Sequence, residues 1–150
     1  MTASQETIDQ IYELRSLLES AAAQAAATQA SDGDRQRLRE TLDAIEAAYR
    51  ANNFPAVLRA TNQFYEAMFM AARKPVAWEM VQRLNGRISW LRSLTVSSAG
   101  RNTAGPRQLR KIMQAIASGD GEAAAAACRS HLETASGIAR RLLAAGRQAQ

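Results

Sequence analysis

The stretch at residues 108–132, QLRKIMQAIASGDGEAAAAACRSHL, decides how this chain is read. A short amphipathic helix ends at Ser118-Gly119, and Asp120 caps a second, longer one. The chain's only histidine, His131, falls on the apolar stripe of that second helix, among alanines and leucines. A titratable side chain aimed into a helical core needs a hydrogen-bond partner or a task.

Working outward, the same periodicity predicts six helices. The first runs from about Gln5 to Gln29 with the stripe Ile8, Ile11, Arg15, Leu18, Ala22 and Ala25. Ser31-Asp32-Gly33-Asp34 breaks it and caps a second helix, from about Asp34 to Arg50, that buries Leu38, Leu42, Ile45 and Tyr49. The turn Asn52-Asn53-Phe54-Pro55 begins the third, with Pro55 at a tolerated first-turn position. Its stripe is Val57/Leu58, Thr61, Phe64/Tyr65, Met68 and Ala72, and Lys74-Pro75 ends it. A single fourth helix, about Val76 to Val96, is expected to bury Met80/Val81, Leu84, Ile88, Leu91 and Thr95. Ser97–Pro106 reads as the one true loop. The fifth helix runs from about Pro106 to Ala117. The sixth runs from about Gly121 to Ala145, with the stripe Ala124, Cys128, His131, Ala135, Ile138 and Leu142. Short links between long amphipathic helices make antiparallel neighbours, so the expected fold is an all-α antiparallel bundle of about six helices.

Composition agrees. Residues are 47% apolar and 22% charged, which suits a globular chain with a real core. The abundance of alanine favours helix. No apolar run approaches the ~20 residues of a membrane span, and the N-terminus lacks a signal-peptide pattern. A single cysteine, Cys128, cannot form an internal disulfide, so a cytoplasmic protein is expected. Charge is uneven: residues 1–66 carry ten acids and six bases, whereas residues 67–150 carry four acids and thirteen bases. A basic half can meet nucleic acid, an acidic partner or an anionic ligand, or simply be a solvated surface.

Four segments in this order carry a family resemblance: IYELRSLLESAAAQAAA (11–27), LRETLDAIEAAYRANNFPAVLRA (38–60), FYEAMFMAA (64–72) and KIMQAIASGDGEAAAAACRSHL (111–132). With their spacing, the chain resembles the FCD domain, the C-terminal effector-sensing domain of the FadR subfamily of GntR-type transcription regulators, from about Ile8 to Leu143. The resemblance implies a FadR C-terminal-domain-like bundle filling residues 1–150. It also implies a small-molecule effector, a homodimer, and DNA contact only through an N-terminal winged helix that this sequence does not show.

Many members of that family hold a metal ion with an aspartate and a histidine four apart on one helix and two histidines on later helices. Those positions fall here on Thr61, Tyr65, Leu109 and His131, of which only His131 keeps a ligand side chain. One imidazole, one hydroxyl and one phenol do not make a tight divalent-cation site, so no metal and no other cofactor is expected. Thr61, Tyr65 and His131 remain polar groups in the middle of a bundle, where a pocket with a few convergent polar groups binds a small ligand. Arg15 lies on the first helix's stripe with Ile11 and Leu18, and the resemblance implies an arginine there that reaches into the pocket. Its partner is either an anionic ligand, typically a carboxylate held bidentately, or an internal acid such as Glu19. Helical phase lets Arg92 and Ser89 face the same pocket. The expected ligand-binding set is therefore Arg15, Thr61, Tyr65, Ser89, Arg92 and His131.

Two other functions were weighed against this. An enzyme is not expected, since no nucleophile lies beside a base, no carboxylates pair on a core face, and no glycine-rich phosphate loop occurs. The alternative is a basic helical protein that binds nucleic acid through its C-terminal half. That reading lacks a recognisable reading helix and has few aromatic residues for stacking.

Overall fold

Capping explains where most helices begin. In a computed structural model that describes residues 4–148, with side chains through Gly146, the Ser4 hydroxyl accepts the Thr7 N–H at the start of α1 (Gln5–Gln29). Ser31 and Asp34 form a reciprocal capping box on α2 (Asp32–Arg50). The Asn53 side chain accepts the Ala56 N–H at α3 (Phe54–Ala71). Asp120 accepts the Ala123 N–H at α7 (Gly121–Gln148). Each cap satisfies a donor that the helix itself leaves orphaned, worth about 1 kcal/mol. Between α3 and α7 lie α4 (Pro75–Arg83), α5 (Asn85–Thr95) and α6 (Arg101–Ala117). The fold is all-α, as expected, with seven helices and no strand among the described residues.

The expected fourth helix is in fact two. At Leu84 the N–H reaches back only three residues, to Val81 O at 3.0 Å. Asn85 and Gly86, both poor helix formers, follow. The break lets the axis turn, so α4 packs mainly on α3 while α5 also reaches α7. Met80, expected inside, is consequently 37% exposed, although Val81, Ile88, Leu91 and Thr95 are buried. The expected loop over 97–106 is also mostly helix. Only residues 96–100 lie between α5 and α6, and Gly100 adopts a left-handed φ of 79° that turns the chain into α6. Pro106 then sits inside the helix, where it forfeits the single bond its N–H would have made to Asn102. Farther along, Leu142 lies 39% exposed instead of on the buried stripe.

The core is built on α1 packed along α7 and on α2 packed along α3, with α6 lying across α7 and α2. Ile8, Leu38, Leu42, Ile45, Phe64, Met68, Ile112 and Ile116 are fully buried, and each such side chain contributes roughly 1.5–3 kcal/mol. Alanines 22, 23 and 26 on α1 face Ala124 and Cys128 on α7 within the same core. At Gly121 a Cβ would lie only 3.1 Å from Gln24 Cγ and 3.2 Å from Gln24 O, so a side chain there would crowd this close approach of α1 and α7. Arg140 ties α7 back to Asp9 of α1 at 2.7 Å, and Arg110 ties α6 to Glu46 of α2.

Candidate functional site

Most of the polar side chains that this apolar core does not expel gather around one cavity. Arg15 and Glu19, one turn apart on α1, are 2% and 1% exposed. The guanidinium donates from Nε to Glu19 Oε2 at 2.9 Å and from Nη2 to Oε1 at 3.3 Å. Of the two partners the sequence left open for Arg15, the internal acid is therefore present. Burial works against its charge, but Glu19, with help from Tyr65, more than offsets that and holds its pKa above the ordinary value. The rings of Tyr12 and Tyr65 lie 5.5 and 5.8 Å from its guanidinium carbon.

Arg92 has no such compensation. Delivered by α5, its guanidinium stacks 4.7 Å from the centre of the Tyr65 ring, and among the described residues it forms no ion pair. Burial and then the nearby Arg15 pull its pKa down to about 10, so it stays charged at neutral pH. Tyr65 thus has two cations within reach of its ring, contacts worth ~0.5–2 kcal/mol each. Its own hydroxyl is buried, with no hydrogen-bond partner among the described residues.

Arg92 borders a cavity of about 50 Å³ whose wall also includes Arg15, Thr61, Arg101, Leu109 and His131. Of the six side chains expected to bind ligand, Arg15, Thr61, Arg92 and His131 line this space. Tyr65 is fully buried behind it, supporting the arginines rather than facing the cavity. Ser89 is half-buried and outside the wall, because the cavity meets α5 one turn later, at Arg92, Thr95 and Val96.

Further contributors lie outside the expected set, among them Tyr12, Arg101 and Gln108. Tyr12 lines the cavity one turn before Arg15. Arg101, 7% exposed, enters from the first turn of α6. It falls within the expected loop over 97–106, for which helical phase predicts nothing. Gln108 joins Arg101 to His131: its Oε1 lies 3.2 Å from Arg101 Nη1 and 2.7 Å from His131 Nδ1. Burial, then Arg101, Arg15 and Arg92, push the pKa of His131 well below its usual value, so the imidazole is neutral.

This donor set does not fit a divalent cation. Among the described residues no three His, Cys, Asp or Glu side chains gather, Leu109 is apolar, and the nearest charges to His131 are arginines. Burial likewise raises the pKa of the Cys128 thiol, so it is an un-ionised core group.

The FCD domain family matches residues 10–134. Three solved structures share the fold. E. coli McbR/YncC has a TM-score of 0.83 at 17% identity, over 93% of this chain and 71% of that one. Streptococcus agalactiae GntR has a TM-score of 0.75 at 20% identity, over 91% of this chain and 61% of that one. The metal-free FCD domain of TM0439 has a TM-score of 0.78 at 17% identity, over 97% of this chain and 99% of that one. No curated protein is similar enough in sequence to count as a relative. The protein is an all-helical regulatory effector domain. It belongs to the FCD domain family of the GntR-type transcription regulators.

Proposed function

We propose that this domain senses a small anionic metabolite, a carboxylate, in the central cavity, and that arginine does there what a metal would do for an anion. The observation that carries this is the charge of the cavity wall. Arg15 is neutralised by Glu19, His131 is neutral, and Arg92 and Arg101 remain as two guanidiniums without a carboxylate partner among the described residues. A partly buried, unpaired guanidinium favours an anion that returns the lost solvation through charge-assisted hydrogen bonds. Thr61 and the Tyr12 and Tyr49 side chains supply further polar contacts around that anion. A volume of about 50 Å³ holds a few waters, so a small organic acid displaces them, and a larger one must push the walls apart. Ligand contacts that differ between two packings of the bundle would shift its equilibrium. In a homodimer with a DNA-binding partner domain, that shift becomes regulation.

The test is a thermal-shift screen of small carboxylates on the purified domain. Stabilisation by an acid is expected to be abolished in Arg92→Ala and reduced in Arg101→Ala. Arg15→Ala is not informative here, because it strands Glu19. If every acid that binds does so equally well to Arg92→Ala, the anion reading is wrong.

A further inference from the structure

Gln108 Oε1 stands between two partners, and one of them is unambiguous. Arg101 Nη1, at 3.2 Å, can only donate. The Gln108 atom facing it must therefore be the carbonyl oxygen, since an amide nitrogen there would oppose donor to donor. The same oxygen lies 2.7 Å from His131 Nδ1. An oxygen that only accepts requires Nδ1 to carry the proton. His131 is neutral, with Arg101 from α6, Arg15 from α1 and Arg92 from α5 opposing a second proton. Its Nε2 is then an unprotonated acceptor, and among the described residues no protein group donates to it. Gln108 does not line the central cavity but borders a groove on the outer side of α6 and α7, whereas His131 borders both spaces. The ring is thus held at Nδ1 by Gln108 while the residue borders the cavity, and Nε2 is not sealed into the core.

We infer that Arg101 and Gln108 are positioning residues that lock His131 as its Nδ1–H tautomer, so that the cavity accepts an anion that also brings a hydrogen-bond donor to Nε2. The ligand half of this inference rests on the carboxylate reading above; the tautomer does not. A donor could be an ammonium or a hydroxyl. An ammonium would face the same arginines that keep His131 neutral, so the class favoured is the hydroxy acid. A plain carboxylate leaves Nε2 without a donor beside the bound anion, which costs binding.

His131 is the only histidine in the chain, so its ring nitrogens can be read without assignment in a long-range ¹H–¹⁵N spectrum of the tag-free protein at pH 7.5. The expected spectrum shows a protonated Nδ1 and a bare Nε2, the less favoured tautomer of a histidine side chain in water. Gln108→Leu should shift the ring toward Nε2–H, and Gln108→Glu, which still accepts from Nδ1–H, should restore the wild-type pattern. A proton on Nε2 in the wild type overturns the lock, whatever the variants do. Titration with propanoate, 2-hydroxypropanoate and 3-hydroxypropanoate then tests the ligand class. At least one hydroxy acid is expected to bind about tenfold tighter than propanoate, with the ratio collapsing in Gln108→Leu. Equal binding of all three removes the donor requirement and leaves the carboxylate reading standing. Failure of all three to bind removes both, with the spectrum still deciding the tautomer.

Discussion

Arg15 and Glu19 show how a single residue can be located from sequence while its role stays open. The stripe placed Arg15 inside, but i and i+4 acids occur on both buried and exposed helix faces, and only the packed bundle shows Glu19 at 1% exposure. Such a pair gives little net stability over an apolar substitute, yet breaking one half is costly. Glu19→Ala should therefore lower the unfolding free energy by about 3–5 kcal/mol in urea titrations, far more than loss of an exposed pair such as Arg35–Asp32. His131 makes a second prediction at this scale. Its folded-state pKa lies well below the ordinary value of about 6.5. Below that pH the unfolded chain takes up a proton that the native chain refuses, so stability is full above it and falls as pH drops toward the folded-state pKa. The slope reaches at most about 1.4 kcal/mol per pH unit. His131→Gln should flatten that slope between pH 6.5 and 5, and an unchanged profile would show that the ring titrates freely in the fold.

At the scale of the element, helix ends decide which side chains reach the cavity. Caps built from Ser31, Asn53 and Asp120 are local chemistry and were readable. The Leu84 break and the start of α6 were not. In the first, a sequence of acceptable periodicity is interrupted by one short-range hydrogen bond. In the second, Gly100 in a left-handed conformation launches a helix through a proline that normally marks a boundary. That launch is what brings Arg101 inward. Gly100→Ala meets no steric obstacle to its Cβ, so its cost is conformational, roughly 1–2 kcal/mol. The variant should melt at a lower temperature and bind the stabilising acid more weakly than wild type. Unchanged affinity would mean that α6 holds Arg101 in place without this turn.

Across the whole molecule, the excess of arginine is not a uniform basic coat. Arg110 is tied to Glu46, Arg140 to Asp9 and Arg73 to Asp34, while Arg15, Arg92 and Arg101 serve the interior. The charge that suggested a nucleic-acid surface is thus partly spent on linking helices and partly on polarising the cavity. No described helix is long and apolar enough to cross a membrane. Because the cavity wall repels a cation, a chelator should leave the melting temperature within about 1 °C of its starting value, less than 1 kcal/mol would produce in a domain of this size. A drop of several degrees would mean that a metal is bound by residues other than those described around the cavity.

Helix periodicity, capping and family resemblance are local or linear properties, and they were enough to specify an all-α FCD bundle and to put Arg15, Thr61 and His131 on inward faces. Which charges remain unpaired in the interior could not be read this way, because neutralisation depends on distances between helices that lie far apart along the chain. Arg15 is cancelled within its own helix. Arg92, carried in by α5, meets no acid among the described residues, and Arg101 and Gln108 meet His131 only where α6 crosses α7. The chemistry of the cavity is therefore a property of how the helices pack.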